Sequence, residues 1–276
     1  MNAMRKSTPA PAARLASKAA PHDQAHGLRR LFAHGGVRIV PLVSNPHVAF
    51  SGALLERLCS ALADEGAKTL LVDACERAPA PDELAVMGLA ECIERLSPEL
   101  SYLAARALPL RHVDAQGSTA PFLQALVEAA PRADVVLVHA PAAELSRMFA
   151  RQTLTSQPRP LLIADDHPAS VTHAYAAMKL LSLRARMAVF GLVLGAAPDS
   201  PRAGRIAAQL ASCADNFLGA ALGDWALVDP ASRPTEPLTP DLRRLARGVL
   251  RAAPGDAPTR AAVATHSIDD LTLALN

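Results

Sequence analysis

The stretch that decides the fold is residues 37–73, VRIVPLVSNPHVAFSGALLERLCSALADEGAKTLLVD. It begins with a β-branched run, Val37–Val43, which predicts a buried strand. Helical apolar spacing then predicts a helix over 53–63, which ends before Gly66. The apolar positions of this helix are Leu54, Leu55, Leu58 and Leu62. A second apolar run, Thr69–Val72, completes a strand–helix–strand unit, which is the building block of a parallel sheet.

The same alternation continues along the chain and predicts the fold class. Further apolar runs predict strands at 110–113, 134–138, 160–164, 187–194, 217–222 and 225–229. Helical spacing and proline punctuation predict helices at 82–96, 97–107, 120–130, 142–152, 168–182, 202–213 and 240–252. Continuously apolar strands that alternate with helices indicate an α/β fold: a doubly wound, mostly parallel sheet with helices on both faces.

The predicted α/β domain, 35–252, is flanked by segments of different composition. Residues 1–21 are rich in Ala, Pro and basic side chains and contain no acid, which predicts a disordered tail. Residues 22–34 predict a short helix with Asp23 in its first turn, and its single apolar stripe needs a surface to dock on. Residues 253–276 predict a second tail.

Composition and charge exclude several classes of function. The 276 residues contain 28 Lys plus Arg and 26 Asp plus Glu, and this net charge of +2 gives no electrostatic reason to bind nucleic acid. One Trp, two Tyr and six Phe are too few for a base-stacking platform. Four cysteines without C-x-x-C spacing disfavour a zinc site or a disulfide framework and are typical of a reducing compartment. Because no apolar run reaches about 18 residues, the chain is expected in the cytoplasm.

The loop after the first predicted strand, SNPHVAFSG at 44–52, lies where a phosphate-binding loop belongs. Ligands of parallel sheets bind beyond the carboxyl ends of the strands. A phosphate cradle needs glycines, a Lys for the β- and γ-phosphates, and a Ser or Thr for magnesium. This loop has no Lys, and Pro46 lacks an N–H donor, although Ser51 offers a hydroxyl. These residues fit two interpretations, a structural turn and a residual nucleotide-binding loop.

Polar residues follow three more predicted strands. Asp73 suits a magnesium or water-positioning role, and equally a helix cap or a turn. His139 stands where a magnesium-side carboxylate is expected, and we interpret it as a turn residue because imidazole suits hard cations poorly. Residues 165–167, Asp-Asp-His, suit an acid/base or metal site or, more simply, the start of a helix at Pro168. No G-x-S-x-G, H-E-x-x-H or G-x-G-x-x-G motif occurs, so the sequence contains no complete catalytic set.

Three segments resemble the MinD/ParA-type deviant P-loop ATPases and, within them, the FlhG (FleN) family of flagellar number regulators. Residues 23–29, DQAHGLR, look like the D-Q-A-x-x-L-R motif that precedes the first strand in that family. Residues 58–73, LCSALADEGAKTLLVD, are similar to the helix, turn and strand after its phosphate loop. Residues 166–181, DHPASVTHAYAAMKLL, resemble its P-E-P-T-S-x-T-D-A-Y-A-x-I-K segment. The resemblance covers about 23–252 and implies a MinD-type P-loop NTPase fold.

The resemblance also implies partners. In the FlhG family the motif matched at 23–29 engages the signal-recognition-type GTPase FlhF and stimulates its hydrolysis. A partner-binding helix at 22–34 is therefore expected to dock on an FlhF-like GTPase. The motif residues carried over are Asp23, Gln24, Ala25, Leu28 and Arg29. Flagellar basal-body or transcription-regulator proteins are further expected partners.

The phosphate-loop signature of the family, S-G-K-G-G-x-G-K-[TS], is lost in this chain. Its two lysines fall on Pro46 and Ser51, and its Thr falls on Gly52. Its glycines fall on Asn45, His47, Val48 and Phe50. Losing both phosphate-contacting lysines removes the main charge stabilisation of phosphoryl transfer. We therefore interpret Asn45, Ser51, Gly52 and Asp73 as vestiges of a cofactor site.

Two further signature positions are altered. The strand-end carboxylate of the family falls on His139, and its adenine-reading Asn falls on Gly195. The resemblance and its departures imply a pseudo-ATPase with no catalytic residue, no metal and no cofactor, in which ATP with magnesium binds only if the altered loop still holds it. An atypical nucleotide-binding ATPase is the alternative.

The last predicted helix, 240–252, is basic and amphipathic. Its candidate membrane-contact residues are Leu242, Arg243, Arg244, Leu245, Arg247, Val249 and Leu250. Such a helix either lies on an anionic membrane or covers its own domain. The FlhG-type proteins have a C-terminal amphipathic membrane helix, so the resemblance implies peripheral contact with the inner membrane at the cell pole.

These observations lead to one main hypothesis and two alternatives. The main hypothesis is a regulator of flagellar number, placement and assembly that resembles FlhG and acts through FlhF. The alternatives are the atypical ATPase and a degenerate MinD-like scaffold for another polar machine, such as a pilus or a cellulose exporter. Retention of the motif at 23–29 favours the flagellar hypothesis over the scaffold.

Overall fold

A computed structural model of the chain describes residues 37–81, 88–150 and 158–251. Several predictions lie outside these residues: the two tails, 1–21 and 253–276, and the partner-binding helix 22–34 with its motif residues Asp23, Gln24, Ala25, Leu28 and Arg29. Within the described residues, no helix is both long and apolar enough to cross a membrane.

The described residues form one sheet with helices on both faces. The strands are β1 Arg38–Val43, β2 Thr69–Asp73, β3 Glu94–Arg95, β4 Leu100–Ala104, β5 Val135–Ala140, β6 Leu161–Asp165, β7 Val189–Gly195 and β8 Ala221–Val228. The helices are α1 Ser51–Asp64, α2 Ala120–Ala129, α3 Ala142–Phe149, α4 Pro168–Ala185, α5 Ala203–Leu218 and α6 Pro240–Arg251, with short 3₁₀ helices at Leu89–Cys92 and Leu108–His112.

The sheet has the strand order β3-β4-β2-β5-β1-β6-β7-β8. Every pairing in it is parallel except that of the two-residue edge strand β3 with β4. β1 lies in the middle, between β5 and β6, and all six residues of β5 are buried. The predicted doubly wound, mostly parallel α/β fold is therefore confirmed.

Alternate residues of the central strands belong to two separate hydrophobic clusters, one on each face of the sheet. Val40 and Leu42 of β1 pack with α1 and α6, whereas Val43 packs with the cluster that contains α2, α3, α4 and α5. Gly66, with a φ of 79°, turns the chain from α1 into β2, where a β-branched or bulky residue would be strained. Because β2, β5 and β1 are adjacent and parallel, their carboxyl ends lie side by side at the same edge of the sheet.

Two predicted elements have the wrong type. The helix expected over 97–107 contains the strand β4, because residues 100–104 find a hydrogen-bonding partner in β2 that overrides their helix-compatible composition. The strand expected at 110–113 is part of the 3₁₀ helix Leu108–His112, which has Pro109 in its first turn.

Other boundaries differ as well. The strands expected at 217–222 and 225–229 form one strand, β8, with a register irregularity opposite Phe190 and Leu192, and α5 continues to Leu218. Of the helix expected over 82–96, residues 82–87 lie outside the described residues, and the remainder holds a 3₁₀ turn and β3.

Candidate functional site

The loop between β1 and α1 is tied to a neighbouring strand and helix by Asn45. This side chain is only 4% exposed. Its Nδ2 donates to the Ile163 carbonyl oxygen at 2.9 Å, and it lies 3.0 Å from the Ser170 carbonyl oxygen and 3.1 Å from the Ser170 hydroxyl oxygen. Asn45 is therefore a structural clamp between this loop, β6 and α4.

Two backbone amides of this loop, those of His47 and Val48, donate hydrogen bonds within the loop. The His47 N–H donates to the Asn45 Oδ1 at 3.1 Å, and the Val48 N–H donates to the Asn45 carbonyl oxygen at 3.2 Å. Pro46 has no N–H to offer. Val48 is buried among the residues of α1 and α6. The sequence left a structural turn and a residual nucleotide loop open, and this hydrogen bonding has the character of a structural turn.

Three further positions, Ser51, Gly52 and Gly195, align with the nucleotide signature of the resemblance. Ser51 is the first residue of α1 and lines a cavity. A Cβ at Gly52 would meet no heavy atom within 4 Å. A Cβ at Gly195 would lie 3.1 Å from Leu54 Cδ1, so the position expected to read adenine is packed against the core.

Asp73 and His139 face one another across β2 and β5. The two residues are register partners in the parallel pairing, and His139 Nδ1 lies 2.9 Å from Asp73 Oδ1. The Cys75 N–H also donates to Asp73 Oδ1, at 3.3 Å. The interpretation of His139 as a turn residue is wrong, because β5 continues to Ala140 and His139 is a buried residue of this strand.

The electrostatics of this cluster keep the Asp73 carboxyl group charged and the Cys75 thiol neutral. Burial raises the pKa of Asp73, but hydrogen bonds and charge from His139, together with hydrogen bonds from Cys75, outweigh burial and leave the pKa below its ordinary value. Burial and the Asp73 carboxylate raise the pKa of Cys75 to about 11. At neutral pH the site therefore holds a carboxylate that accepts hydrogen bonds and a protonated thiol.

A cavity of about 330 Å³ opens at this edge of the sheet. It brings together residues from three segments: Asn45 and Ser51 of the loop 44–52, Cys75 after β2, and His139 of β5. Alanines of α3 and α4 form an apolar wall: Ala142, Ala143, Ala176 and Ala177. Sequence reasoning missed Cys75, and its only signal was its place two residues beyond the carboxyl end of a buried strand.

The polar run at 165–167 starts a helix, as the simpler of its two interpretations predicted. The His167 N–H donates to Asp165 Oδ1 at 3.1 Å, and His167 Nδ1 accepts from the Ala169 N–H at 3.3 Å. His167 is thus the N-cap of α4, and Pro168 occupies its first turn. Within the described residues, the group of three or more ligand-type side chains that could hold a metal is Asp73, Cys75 and His139.

Of the two interpretations of the last helix, the structure supports the one in which the apolar face of α6 covers its own domain. Leu242, Leu245 and Val249 are buried against α1 and β8, and Leu250 packs beside them. The apolar face is therefore part of the domain core.

The basic residues of α6 meet acids of the same domain. Arg243 lies 3.7 Å from Asp64, and Arg247 lies 3.3 Å from Glu65. Arg244 is within 3.4 Å of Asp224 and 2.7 Å of Asp241. The pairs with Asp64, Glu65 and Asp224 connect α6 to the rest of the domain, whereas Asp241 belongs to α6 itself. Each pair contributes only about 0–1 kcal/mol.

The sheet order, with the first strand in the centre, matches the fold of the MinD/ParA-type P-loop ATPases. Similar solved structures are apo McdA of Cyanothece, with 15% identity over 78% of this chain and 99% of that chain and a TM-score of 0.54, and the MinD cell division protein of Aquifex aeolicus, with 14% identity over 78% and 97% and a TM-score of 0.50. Cobyrinic acid a,c-diamide synthase of Mycobacterium smegmatis is similar at 16% identity over 78% and 94%, with a TM-score of 0.53. No protein-family model and no curated protein sequence matches the chain. At these identities the similarity establishes the fold.

Proposed function

We propose that this chain is a MinD/ParA-type regulator of flagellar number or placement that works by binding other proteins and does not use the ATP chemistry of its fold. The observation that carries the proposal is the Asn45-centred loop. Where an ATPase of this fold presents free N–H groups and lysines to phosphate, this chain has a turn that bonds to itself, with no Lys or Arg between residues 44 and 52.

The loop differs from the phosphate-loop signature in its packing as well as in its charge. Asn45 and Val48 fall where the signature has glycines, and both side chains are buried. Opening the loop around a phosphate would break the Asn45 hydrogen bonds to Ile163 and Ser170 and expose Val48 to water. The cost of leaving such buried groups unpaired is about 1–3 kcal/mol each, which opposes a nucleotide-bound conformation.

The choice of partner is supported by the motif at 23–29. Residues Asp23, Gln24, Ala25, Leu28 and Arg29 match the segment with which FlhG-type proteins engage FlhF. Leu28 supplies an apolar anchor, and the Arg29 guanidinium suits a bidentate contact with a carboxylate or phosphate of the partner. An FlhF-like GTPase is therefore the partner we propose.

The first test is calorimetric titration with ATP and magnesium, with an intact ATPase of the same fold as the positive control. We expect no binding heat from this chain at concentrations that saturate the control. A micromolar dissociation constant, corresponding to about −8 kcal/mol, would favour the atypical ATPase instead.

The second test measures binding to FlhF and stimulation of its GTPase activity. Leu28→Ala and Arg29→Ala are expected to weaken both by an amount that corresponds to about 1–2 kcal/mol or more. The matched controls are Leu31→Ala and Arg30→Ala, which change the same residue types outside the motif. Equal stimulation by all four variants would contradict the role of the motif, and no binding by the unmodified chain would favour a scaffold for another polar machine.

A further inference from the structure

Three different metal-ligand side chains converge beside the loop. Asp73 ends β2, Cys75 follows it by two residues, and His139 comes from the neighbouring strand β5. One ligand atom from each residue lies within 4.8 Å of the others. The C-x-x-C spacing that announces many zinc sites is absent because these ligands come from two strands paired across 66 positions of sequence.

His139 has an unsatisfied ring nitrogen inside the protein. The residue is only 3% exposed, and its Nε2 is buried without a hydrogen-bond partner among the described residues. Nδ1 already pairs with Asp73 Oδ1. Nδ1 is thus the ring nitrogen placed to bind an ion together with Asp73 and Cys75. The ion replaces the hydrogen bond between Nδ1 and Asp73, and the ring proton is then on Nε2.

We propose that Asp73, Cys75 and His139 form a binding site for a divalent transition-metal ion of the zinc class. A thiolate, an imidazole and a carboxylate together suit zinc or cobalt, whereas magnesium prefers oxygen ligands and water. Three protein ligands leave a fourth position for water or a small ligand, and both Cys75 and His139 line the cavity of about 330 Å³. This site is independent of the proposed flagellar function.

The geometry needs only a small adjustment. Bonds of 2.0–2.3 Å to a tetrahedral ion place neighbouring ligand atoms roughly 3.3–3.8 Å apart. The cluster spans from the 2.9 Å between His139 Nδ1 and Asp73 Oδ1 to the 4.8 Å limit that contains all three ligand atoms. Side-chain movements of about 1 Å or less therefore close the site around an ion.

Metal binding has a defined proton balance. The Cys75 thiol is protonated in the free protein, so the ion forms a metal–sulfur bond as the S–H bond breaks, and one proton goes to solvent.

The test is a titration of tag-free, metal-stripped full-length protein with cobalt, followed by zinc, in a non-thiol reductant. We expect one equivalent of cobalt, a thiolate-to-cobalt absorption band in the near ultraviolet, and displacement of that band by zinc. Cys75→Ser is expected to abolish the band and to weaken zinc binding by more than the 10–100-fold that loss of an outer partner costs. Cys213→Ser, the matched control at another partly buried cysteine, is expected to retain both.

Three results would overturn the site. They are the absence of a cobalt band from the unmodified protein at roughly millimolar metal, the same band in Cys75→Ser, and loss of the band in Cys213→Ser. Circular dichroism of each variant checks folding. If Cys75→Ser fails to fold, His139→Gln takes its place, and cobalt bound with unchanged affinity and spectrum by that variant would also contradict the proposal.

Discussion

Asn45 Nδ2 lies 3.0 Å from the carbonyl oxygen and 3.1 Å from the hydroxyl oxygen of Ser170, 125 positions further along the chain. Both residues are buried, so the loop after β1 and the first turn of α4 share one hydrogen-bonded joint. The Ser170 hydroxyl oxygen also accepts the Asp165 N–H at 2.9 Å. The joint therefore links the carboxyl ends of β1 and β6, next to the cavity.

This joint predicts energetic coupling between Asn45 and Ser170. Asn45→Ala should lower the free energy of unfolding by about 1–3 kcal/mol, because it leaves buried acceptors unpaired. Urea unfolding of the two single variants and of the double variant with Ser170→Ala should give a non-additive result. The matched control is the exposed pair Asn216 and Ser212, which also has an Asn-to-Ser hydrogen bond and should show little coupling. Additive losses at the buried pair would contradict the prediction.

The contacts of Arg57 in α1 predict that lysine at this position lowers the stability of the protein. Its guanidinium is buried and lies 2.9–3.4 Å from four carbonyl oxygens in the segment 233–237, which leads to α6. Arg57→Lys should lower the free energy of unfolding by about 1–3 kcal/mol, because one ammonium cannot reproduce the planar fork. Arg205→Lys, at an exposed arginine of α5, is the control and should change urea unfolding very little. Equal effects of the two substitutions would contradict this account.

The burial of α6 predicts a stability defect at its apolar face. Leu245 is 2% exposed, so Leu245→Ala should lower the free energy of unfolding by about 2–5 kcal/mol. Leu183 of α4 is 70% exposed, and Leu183→Ala is the control with the same change in side chain. In vesicle sedimentation with anionic lipid, the folded protein should not bind through this face. A destabilisation at Leu183 as large as that at Leu245 would contradict the structure.

The lowered pKa of Asp73 predicts an acid-dependent loss of stability. Burial alone would raise this pKa, but the contacts with His139 and Cys75 lower it below the ordinary value of 3.8. The unfolded chain therefore takes up the proton first, and the stability that the ionised carboxylate provides is lost as pH falls from that value through the lower folded pKa. Asp73→Asn cannot ionise, so its unfolding free energy should depend less on pH in this range.

Urea unfolding of both proteins with a chelator present measures this difference. The gap between the unmodified protein and Asp73→Asn should be constant near neutral pH and should shrink below about pH 4. A gap that stays constant into the acid range would show that the Asp73 carboxylate is not stabilised by its neighbours.

The central strands were predictable because they are buried on both faces. The runs that became β2, β5, β6 and β7 are continuously apolar, and this pattern leaves few alternatives to a parallel sheet. The strand β4 was missed because it is only partly buried and its residues 100–104 are compatible with a helix. Its strand conformation depends on pairing with β2, which no local pattern encodes.

For the candidate site, the sequence shows single residues but not the contacts between strands. Asp73 was recognisable at the end of an apolar run, but its contact with His139 depends on the register of β2 against β5. The amphipathic pattern of α6 fits a membrane and a protein core equally well. The burial of Leu242, Leu245 and Val249 against α1 and β8 decides between them, and these contacts exist only once the domain has folded.

The central position of β1 also sets the order in which a nascent chain can fold. Its neighbours β5 and β6 are encoded roughly 90 and 120 residues downstream, so β1 has no strand partner when it leaves the ribosome. At about 5–20 residues per second, the wait for β5 lasts roughly 5–20 s. During this interval the apolar side chains of β1 depend on α1 or on a chaperone for cover. A chain that is cut short before residue 135 contains an apolar strand without its partner β5.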